Sequence, residues 1–486
     1  MLDQCDITMS SPTGDTAGAL RNLVNDGPFS VLPAPPGVTG EILTQIADRG
    51  LVEVAIDKAG RRHRRDRALP AWIVVYVVFG LCLFTGEGYG SVLRHVWPSL
   101  SRLRAREVRI PDTSALPKAR QRVGVEPFTT IFDQIRGPAA TPDTPGAFAF
   151  GLRLVSIDGT VLDIPDSADN DAVFDRYAGR HGRAATPQVR LTMLIECATH
   201  AVLAARFHGT QTGEQIMADT MTTDLQPGML LLADRNFYSF NYWRTAAASG
   251  ADLLWRMKTG RSGVAKLPIL QLLPDGSYLS KIREASTART TRGRRAGHTQ
   301  PALPDITVRV IDFTITVTTA DGTTRHQPYR LLTTILDPAI APATDLAACY
   351  HERWESETGY GHLKIRLRGP RVVLRSRHPD TVHQEILAYL CVYQTLCRLA
   401  ATAAHHAGYD PDRISFTVTL REFRRTLTNP TDHPPHRMIN TILDQVLPNR
   451  RDRSTDRGNK PQNRQPRSQK VTYHITVQPH PPAQNP

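Results

Sequence analysis

The sequence of 486 residues lacks the patterns that mark several classes of protein. Its six cysteines include no CxxC pair, which argues against a disulfide framework or a zinc site and fits a reducing compartment. It has no Gly-rich phosphate loop, nucleophile elbow or HExxH motif, so nothing points to the chemistry that these motifs carry. It also has no internal repeat, and it is long enough for two or three domains.

A long hydrophobic run is missing as well. The one candidate membrane segment, Ala71 to Phe84, is shorter than the ~20 residues that a helix needs to cross a bilayer, so we expect a buried core helix there. The chain does not start like a signal peptide. These observations predict a cytoplasmic, nucleoid-associated protein with no membrane partner. A membrane-associated nuclease built on this segment is the weaker alternative.

Positive charge is in excess. The chain has 59 Lys and Arg against 46 Asp and Glu, a formal net charge of +13, and its isoelectric point is about 9.7. Such an excess indicates a polyanionic partner, nucleic acid before a membrane surface. The tail between Arg450 and Lys470 has eight basic and two acidic residues, and we expect it to be disordered and to attract DNA non-specifically.

The pattern changes from helical to β across the linker Gly137 to Gly146. Basic clusters at Arg61 to Arg67 and in the helix Thr113 to Val123 suit either a DNA-end-binding module or an ordinary helical domain with a charged exterior. Strands beyond the linker make this an α/β protein. The predicted parts are a flexible leader (1–25), a helical N-terminal DNA-binding domain (26–136), a core in two parts (147–250 and 341–405) around a β-rich insertion (251–340), a C-terminal helical region (406–446) and a basic disordered tail (447–486).

Two predicted strands each deliver an aspartate at the carboxyl end. The strand Leu152 to Asp158 ends on Asp158, where Gly159 is expected to turn the chain, and the apolar strand Met229 to Ala233 is followed by Asp234. Other acids nearby, Asp163, Asp166 and Asp169, are interpreted as loop or turn residues. His181, His200 and His208 show no metal-ligand spacing and are assigned no role.

A later stretch, Tyr350 to Lys364, supplies a glutamate. As one helix at about 100° per residue, it places Tyr350, Arg353, Glu357 and Lys364 on one face, while Glu355 lies on another and is expected in solvent. Glu357 would then be a hard oxygen ligand between two cations that can clamp phosphate. Taken alone, the stretch equally fits a solvated face with salt bridges.

Together the three acids predict phosphodiester chemistry. Two divalent cations roughly 3.5–4 Å apart must be held by carboxylates, so that one activates the attacking oxygen and the other stabilises the leaving oxygen. Strand ends and a helix hold such ligands more rigidly than loops do. Magnesium fits an all-oxygen ligand set.

The motifs SIDGT (156–160), ADRNFYS (233–239) and Y-x2-R-x3-E-x6-K (350–364) occur in this order, with a β-rich interval between the second and third. In this the chain resembles bacterial DDE transposases of the insertion sequence four family, whose YREK signature is complete here. The resemblance covers roughly residues 60 to 400. It implies an RNase H-like catalytic core with an inserted β-rich domain, preceded by a helical N-terminal domain.

The resemblance also implies roles for individual residues. Asp158, Asp234 and Glu357 would be the DDE triad and bind two Mg²⁺ ions, for which Mn²⁺ can substitute. Tyr350, Arg353 and Lys364 would contact DNA phosphates or order the element end, and Arg235 could reach a phosphate or form an ion pair in the core. Relatives stack a tryptophan on a flipped base, and Tyr329 is at the corresponding position here. Trp255 is a competing candidate for this role. For both residues, the simpler interpretation is an aromatic side chain half-buried in a strand.

The implied activity is cut-and-paste transposition. A homodimeric synaptic complex would bind double-stranded DNA at terminal inverted repeats, cleave it and join it to target DNA, and a hairpin intermediate is allowed. The alternative is a catalytically silent DNA-binding protein derived from a transposase.

Overall fold

The structure of the protein is a computed structural model. It describes residues 41–478 with gaps at 63–68, 104–109, 180–181, 258, 261–262, 265–266, 286–291, 293–294, 296, 298–300, 319–323 and 449–471. The predicted leader, most of the basic run Arg61 to Arg67 and most of the predicted tail therefore lie outside the described residues.

Helices dominate the N-terminal third, as expected. All thirteen residues of the apolar helix Ala71–Leu83 are buried, and its rings join a row of edge contacts, Tyr76 to Phe79 at 6.2 Å and Phe79 to Phe128 at 6.1 Å. It is thus the centre of a helical core. The helices of this region are α1 Arg49–Lys58, α2 Ala71–Leu83, α3 Tyr89–Leu103, α4 Ala115–Val123 and α5 Glu126–Ile135, after a 3₁₀ turn at Ile42–Gln45.

Strands and shorter helices alternate after the linker. The strands are β1 Phe148–Ala149, β2 Leu152–Asp163, β3 Ala178–Gly179, β4 Gly182–Arg183, β5 Gln188–Glu196, β6 Val202–Gly209, β7 Met229–Ala233, β8 Asp252–Arg256, β9 Thr259–Gly260, β10 Gly263–Val264, β11 Gln271–Leu272, β12 Tyr278–Ile282, β13 Ile306–Thr318, β14 Thr324–Thr333 and β15 Thr472–Val477. The helices are α6 Ala168–Val173, α7 Glu214–Asp219, α8 Phe240–Ala248, α9 Ala343–Cys349, α10 Glu355–Gly361, α11 Pro379–Ala407, α12 Phe416–Thr428 and α13 Met438–Leu443.

One mixed sheet runs through the molecule in the order β11-β12-β13-β14-β8-β7-β2-β5-β6. Its centre is parallel, because β7 pairs in parallel with both β2 and β8, and antiparallel strands flank this centre on either side. Helices α7 and α8 pack on one face, and α9 packs on the other. The protein is therefore an α/β protein with a central mixed sheet behind a helical N-terminal region.

Strands from the interval predicted as an insertion belong to the same sheet. Strand β8 lies beside β7, and β14, β13, β12 and β11 continue outward from β8. Among the described residues, only the short β9–β10 pair of this interval stands apart. The interval therefore extends the core sheet.

Two sequence expectations need correction. Strand β2 does not end at Asp158 but continues through Gly159 to Asp163, because β5 pairs with it along this whole length. The predicted disordered tail contains a strand, since β15 pairs with β13 from Phe313 to Thr318. Four of its six residues are β-branched, which favours a strand, and it fills the edge of β13 beyond β12.

Helix α11 joins the helical region to the sheet. Gln384 donates to the backbone oxygens of Arg120 (2.7 Å) and Gly124 (2.6 Å), and Gln394 accepts from the amide of Val202 (2.7 Å). Among the described helices, α11 alone is long and apolar enough to cross a membrane, and 83% of its most apolar window is buried inside the protein. It is a core helix here.

We expect Gln384→Leu to lower the free energy of unfolding by about 2–4 kcal/mol, because two buried carbonyl oxygens would each lose a donor. Urea unfolding followed by circular dichroism measures this change. Gln445→Leu, the same exchange at an exposed residue, is the control and should change stability by less than about 0.5 kcal/mol. Equal effects of both substitutions would contradict this assignment.

Candidate active site

The parallel strands bring two predicted acids together. Ile157 of β2 lies opposite Ala233 of β7, and Ala233 lies opposite Trp255 of β8. The next residues, Asp158, Asp234 and Arg256, therefore lie side by side on three adjacent strands. They form a row at the carboxyl end of the parallel part of the sheet. Side chains alternate along a strand, so all three project to the α9 face, as Leu232 and Leu254 do.

The segment from α9 to residue 367 lies over this row, and it is not the single helix that the sequence predicts. Helix α9 continues as a 3₁₀ helix at Tyr350–Trp354, then as α10, then as a π-helix at His362–Leu367. In a 3₁₀ helix, residues three apart project in the same direction, so Tyr350 and Arg353 still share a side.

Two tyrosines bind this segment to β7 and β2. The hydroxyl of Tyr350 donates to the carbonyl of Ala233 at 3.2 Å, next to Asp234. The hydroxyl of Tyr360 donates to the carbonyl of Asp158 at 2.5 Å and accepts from the amide of Met193 at 2.9 Å. Glu357 is held between these two attachment points.

Arg353 lies among the acids. It is only 6% exposed, and its guanidinium is 3.8 Å from the Glu357 carboxylate. Burial opposes its charge, yet the phenol of Tyr350 and the carboxyl groups of Asp234, Asp158 and Glu357 together raise its pKa. All three predicted acids therefore act on one buried cation, which compensates their charge.

The carboxyl group of Asp158 is perturbed by its surroundings. Burial raises the pKa of its carboxyl to about 6, against the pull of the Gly159 amide (2.8 Å) and of Arg353, while Glu214 and Glu357 raise it further. A carboxylate held out of water beside other carboxylates is one that a divalent cation would stabilise. The oxygen-only donor set of the three acids fits Mg²⁺.

Two family models match this chain. The insertion element 4 transposase N-terminal model matches residues 38–133, and the transposase DDE domain model matches residues 149–394. The chain belongs to the insertion element 4 family of DDE transposases. It is 26% identical over 425 residues to the transposase InsG for insertion sequence element IS4 of Escherichia coli (strain K12), covering 84% of this chain and 89% of that protein. It is 24% identical over 234 residues to the protein InsZ of the same strain, covering 47% and 74%.

The predicted DNA-contacting residues of this transposase lie in different environments. Tyr350 and Arg353 are buried, so they support the acids from within. The ammonium of Lys364 donates to the hydroxyl of Thr160 at 2.7 Å, two residues beyond Asp158, and burial lowers its pKa. Arg235 is exposed beside Asp234, which leaves it accessible to a phosphate.

The two aromatic residues predicted to stack on a flipped base are less accessible than Arg235. Trp255 is fully buried among Tyr242 and Trp243, with ring centroids 4.8 and 5.1 Å away, so its assignment as a stacking residue is wrong for this structure. Its side chain projects to the α8 face, opposite the acids. Tyr329 is half-buried between Phe313 on one neighbouring strand (5.3 Å) and Arg256 on the other (3.9 Å), and both would have to move before a base could stack on it.

Sequence reasoning missed three residues of this site. Arg256 carries the same signal as Asp158 and Asp234, a charged residue closing an apolar strand, and could have been found. Tyr360 and Glu214 carry no such signal. A β-carbon at Gly159 would lie 2.8 Å from the Glu214 carboxyl group, so Glu214 occupies the space that a side chain at position 159 would need.

Removing one hydroxyl tests the attachment of α10. We expect Tyr360→Phe to cost about 1–3 kcal/mol of stability and to speed hydrogen exchange at the Met193 amide, which loses its acceptor. Exchange followed by mass spectrometry measures the effect. Tyr177→Phe, at a tyrosine that is 53% exposed, is the control. Unchanged exchange at Met193 would contradict the assignment.

The burial of Asp158 gives a pH-dependent prediction. Its pKa rises from 3.8 to about 6 on folding, so the penalty for a buried carboxylate is absent below pH 3.8 and complete above about pH 6. In EDTA, Asp158→Asn should therefore stabilise the protein by about 1–2 kcal/mol at pH 8 and leave it unchanged near pH 4. Urea unfolding at both values measures this, with the exposed Asp169→Asn as control. If Asp158→Asn instead destabilised the protein at pH 8, burial of the ionised Asp158 carboxylate would not be unfavourable and the prediction would be wrong.

Proposed function

We propose that this transposase binds the terminal inverted repeats of its insertion sequence and catalyses metal-dependent cleavage and strand transfer. The observation that supports the proposal best is the register of β2 and β7, which sets Asp158 and Asp234 side by side, under a segment that carries Glu357 and is hydrogen-bonded to both strands through Tyr350 and Tyr360. The three acids lie 76 and 123 positions apart in sequence, and structural ion pairs alone do not require three acids around one cation.

Asp158, Asp234 and Glu357 would hold two Mg²⁺ ions, with Mn²⁺ as an accepted substitute. When bound, the ions would supply activation of the attacking oxygen and stabilisation of the leaving oxygen. The protein contributes rigidity, because the hydroxyls of Tyr350 and Tyr360 hold the glutamate-bearing segment on the two aspartate-bearing strands. Arg353 compensates the negative charge of the acids, and Arg256 stands at the end of their row.

Two successive transfers would use the same acids. Water first attacks the phosphodiester at the element end and frees a 3′-hydroxyl, and this hydroxyl then attacks a phosphodiester in line. Arg235, which is exposed, and Lys364, which lies beside Thr160, are the proposed phosphate contacts. A hairpin intermediate during excision is compatible with this scheme.

The proposed core is RNase H-like, formed by residues 147–250 and 341–405 around the inserted interval 251–340. Three parallel strands flanked by the antiparallel β5 and β6 support it. The helical region 26–136 is the proposed DNA-binding domain. The basic cluster on α4 has fewer exposed cations than the sequence suggests. Arg120 is buried and donates to the Ser376 hydroxyl (2.8 Å), whereas Lys118 is exposed.

The partners follow from this assignment. The net charge of +13 suits double-stranded DNA, both the element ends and the target. A homodimer would hold two ends in the synaptic complex, in the cytoplasm at the nucleoid.

Conservative substitutions separate catalysis from binding. Asp158→Asn, Asp234→Asn and Glu357→Gln should each reduce cleavage of a labelled element end by at least about 10³-fold while leaving its binding within a few-fold, because charge is lost but shape is kept. Gel assays of cleavage in Mg²⁺ and of binding in Ca²⁺ measure both. Asp169→Asn is the control and should cleave normally.

The same assay decides between the enzyme and the catalytically silent alternative. Cleavage products from the unmodified chain support the enzyme. Shifted but intact DNA in both Mg²⁺ and Mn²⁺ would support the silent DNA-binding protein instead. Equal loss of binding and cleavage in the three variants would indicate a folding defect, and the proposed roles would then fail.

A further inference from the structure

A second group of metal-binding side chains lies beside the candidate active site. The ligand atoms of His200, Glu355 and Asp412 all lie within 4.8 Å of one another. They come from the turn between β5 and β6, the first residue of α10 and a 3₁₀ helix at Pro411–Arg413. Sequence reasoning assigned no role to His200 and placed Glu355 in solvent, because residues this distant show no ligand spacing.

Two of the three side chains are buried, and Glu355 is half-buried. His200 and Asp412 are 6% and 5% exposed, and the Nε2 atom of His200 lies 2.8 Å from a Glu355 carboxylate oxygen. A cavity of about 20 Å³ adjoins the group, lined by His200, His362 and Asp412 among others. That volume admits roughly one water molecule. Charged groups are buried in proteins when they are paired or coordinate a metal.

The position of Glu355 separates this group from the candidate active site. Glu355 and Glu357 are two residues apart on α10, so their side chains project about 200° apart. Glu357 turns toward Arg353, 3.8 Å away, whereas Glu355 turns toward His200. One helix thus presents carboxylates to two different places.

We propose that His200, Glu355 and Asp412 bind one divalent transition-metal ion, for which Zn²⁺ is the best match. One imidazole nitrogen and two carboxylate oxygens suit zinc, whereas Mg²⁺ takes oxygen ligands. The adjoining cavity provides room for a water molecule as fourth ligand. The ion would link α10 to the β5–β6 turn and to the C-terminal helical region.

The test uses the full chain carrying Asp158→Asn and Asp234→Asn, so that the candidate active site no longer competes for the ion. After EDTA treatment, reloading with ZnCl₂ and dialysis, elemental analysis should find one zinc per chain. Co²⁺ in place of Zn²⁺ should give the visible absorption bands of a site with nitrogen and oxygen ligands. Neither readout depends on DNA cleavage. A failure of the zinc proposal can therefore be distinguished from a failure of the proposed transposition activity.

Ligand substitutions in that background locate the ion. His200→Gln, Asp412→Asn and Glu355→Gln should each weaken zinc binding roughly 10-fold or more, whereas His208→Gln, at an exposed histidine, should not. Far-ultraviolet circular dichroism checks folding, and the isosteric Glu355→Gln decides the outcome if another variant unfolds. Absence of retained zinc, or retention that all three substitutions leave unchanged, would overturn the proposal.

Discussion

The register of three parallel strands is the constraint on which the candidate site depends. Because Ile157, Ala233 and Trp255 are opposite one another, the residues that follow them turn to the same face. A slip of one residue in β7 would turn Asp234 toward α7 and α8. Such a slip is unfavourable because the strand is apolar and buried on both faces, with each face already matched to its own helices.

Charge compensation is the second requirement. Several carboxylates gathered at a half-buried strand edge repel one another, and Arg353 offsets this repulsion from inside the protein. The helical segment that carries Arg353 and Glu357 changes pitch three times, from α to 3₁₀, back to α and then to π. Within this segment, Tyr350 reaches the end of β7 and Tyr360 reaches the middle of β2.

Much of this site could be predicted from sequence, for identifiable reasons. Apolar runs that lead into Asp158 and Asp234 are a local signal. The spacing of Tyr350, Arg353 and Glu357 survives the change to a 3₁₀ helix, because the two helix types place these residues on similar sides. Arg256 carried the same strand-end signal. The helical N-terminal region and the change to strands beyond the linker were likewise evident from the sequence pattern.

The remaining features depend on contacts between distant residues. Glu214 approaches Asp158 only because α7 packs over the sheet, and the space it takes at Gly159 has no counterpart in local sequence. The burial of Trp255 and Arg120 follows from tertiary packing, which overrides the pattern of aromatic and basic residues. The pairing of Thr472–Val477 with β13 joins segments more than 150 residues apart. The meeting of His200, Glu355 and Asp412 is equally non-local.

The completely buried helix Ala71–Leu83 has a consequence for the order of folding during synthesis. Its apolar surface is covered in part by Pro379–Ala407, which the ribosome makes some 300 residues later. Until then, a nascent helix that is apolar all round has an uncovered side, and such surfaces invite aggregation or chaperone binding. The N-terminal helices therefore reach their final packing only after the helix Pro379–Ala407 has been made.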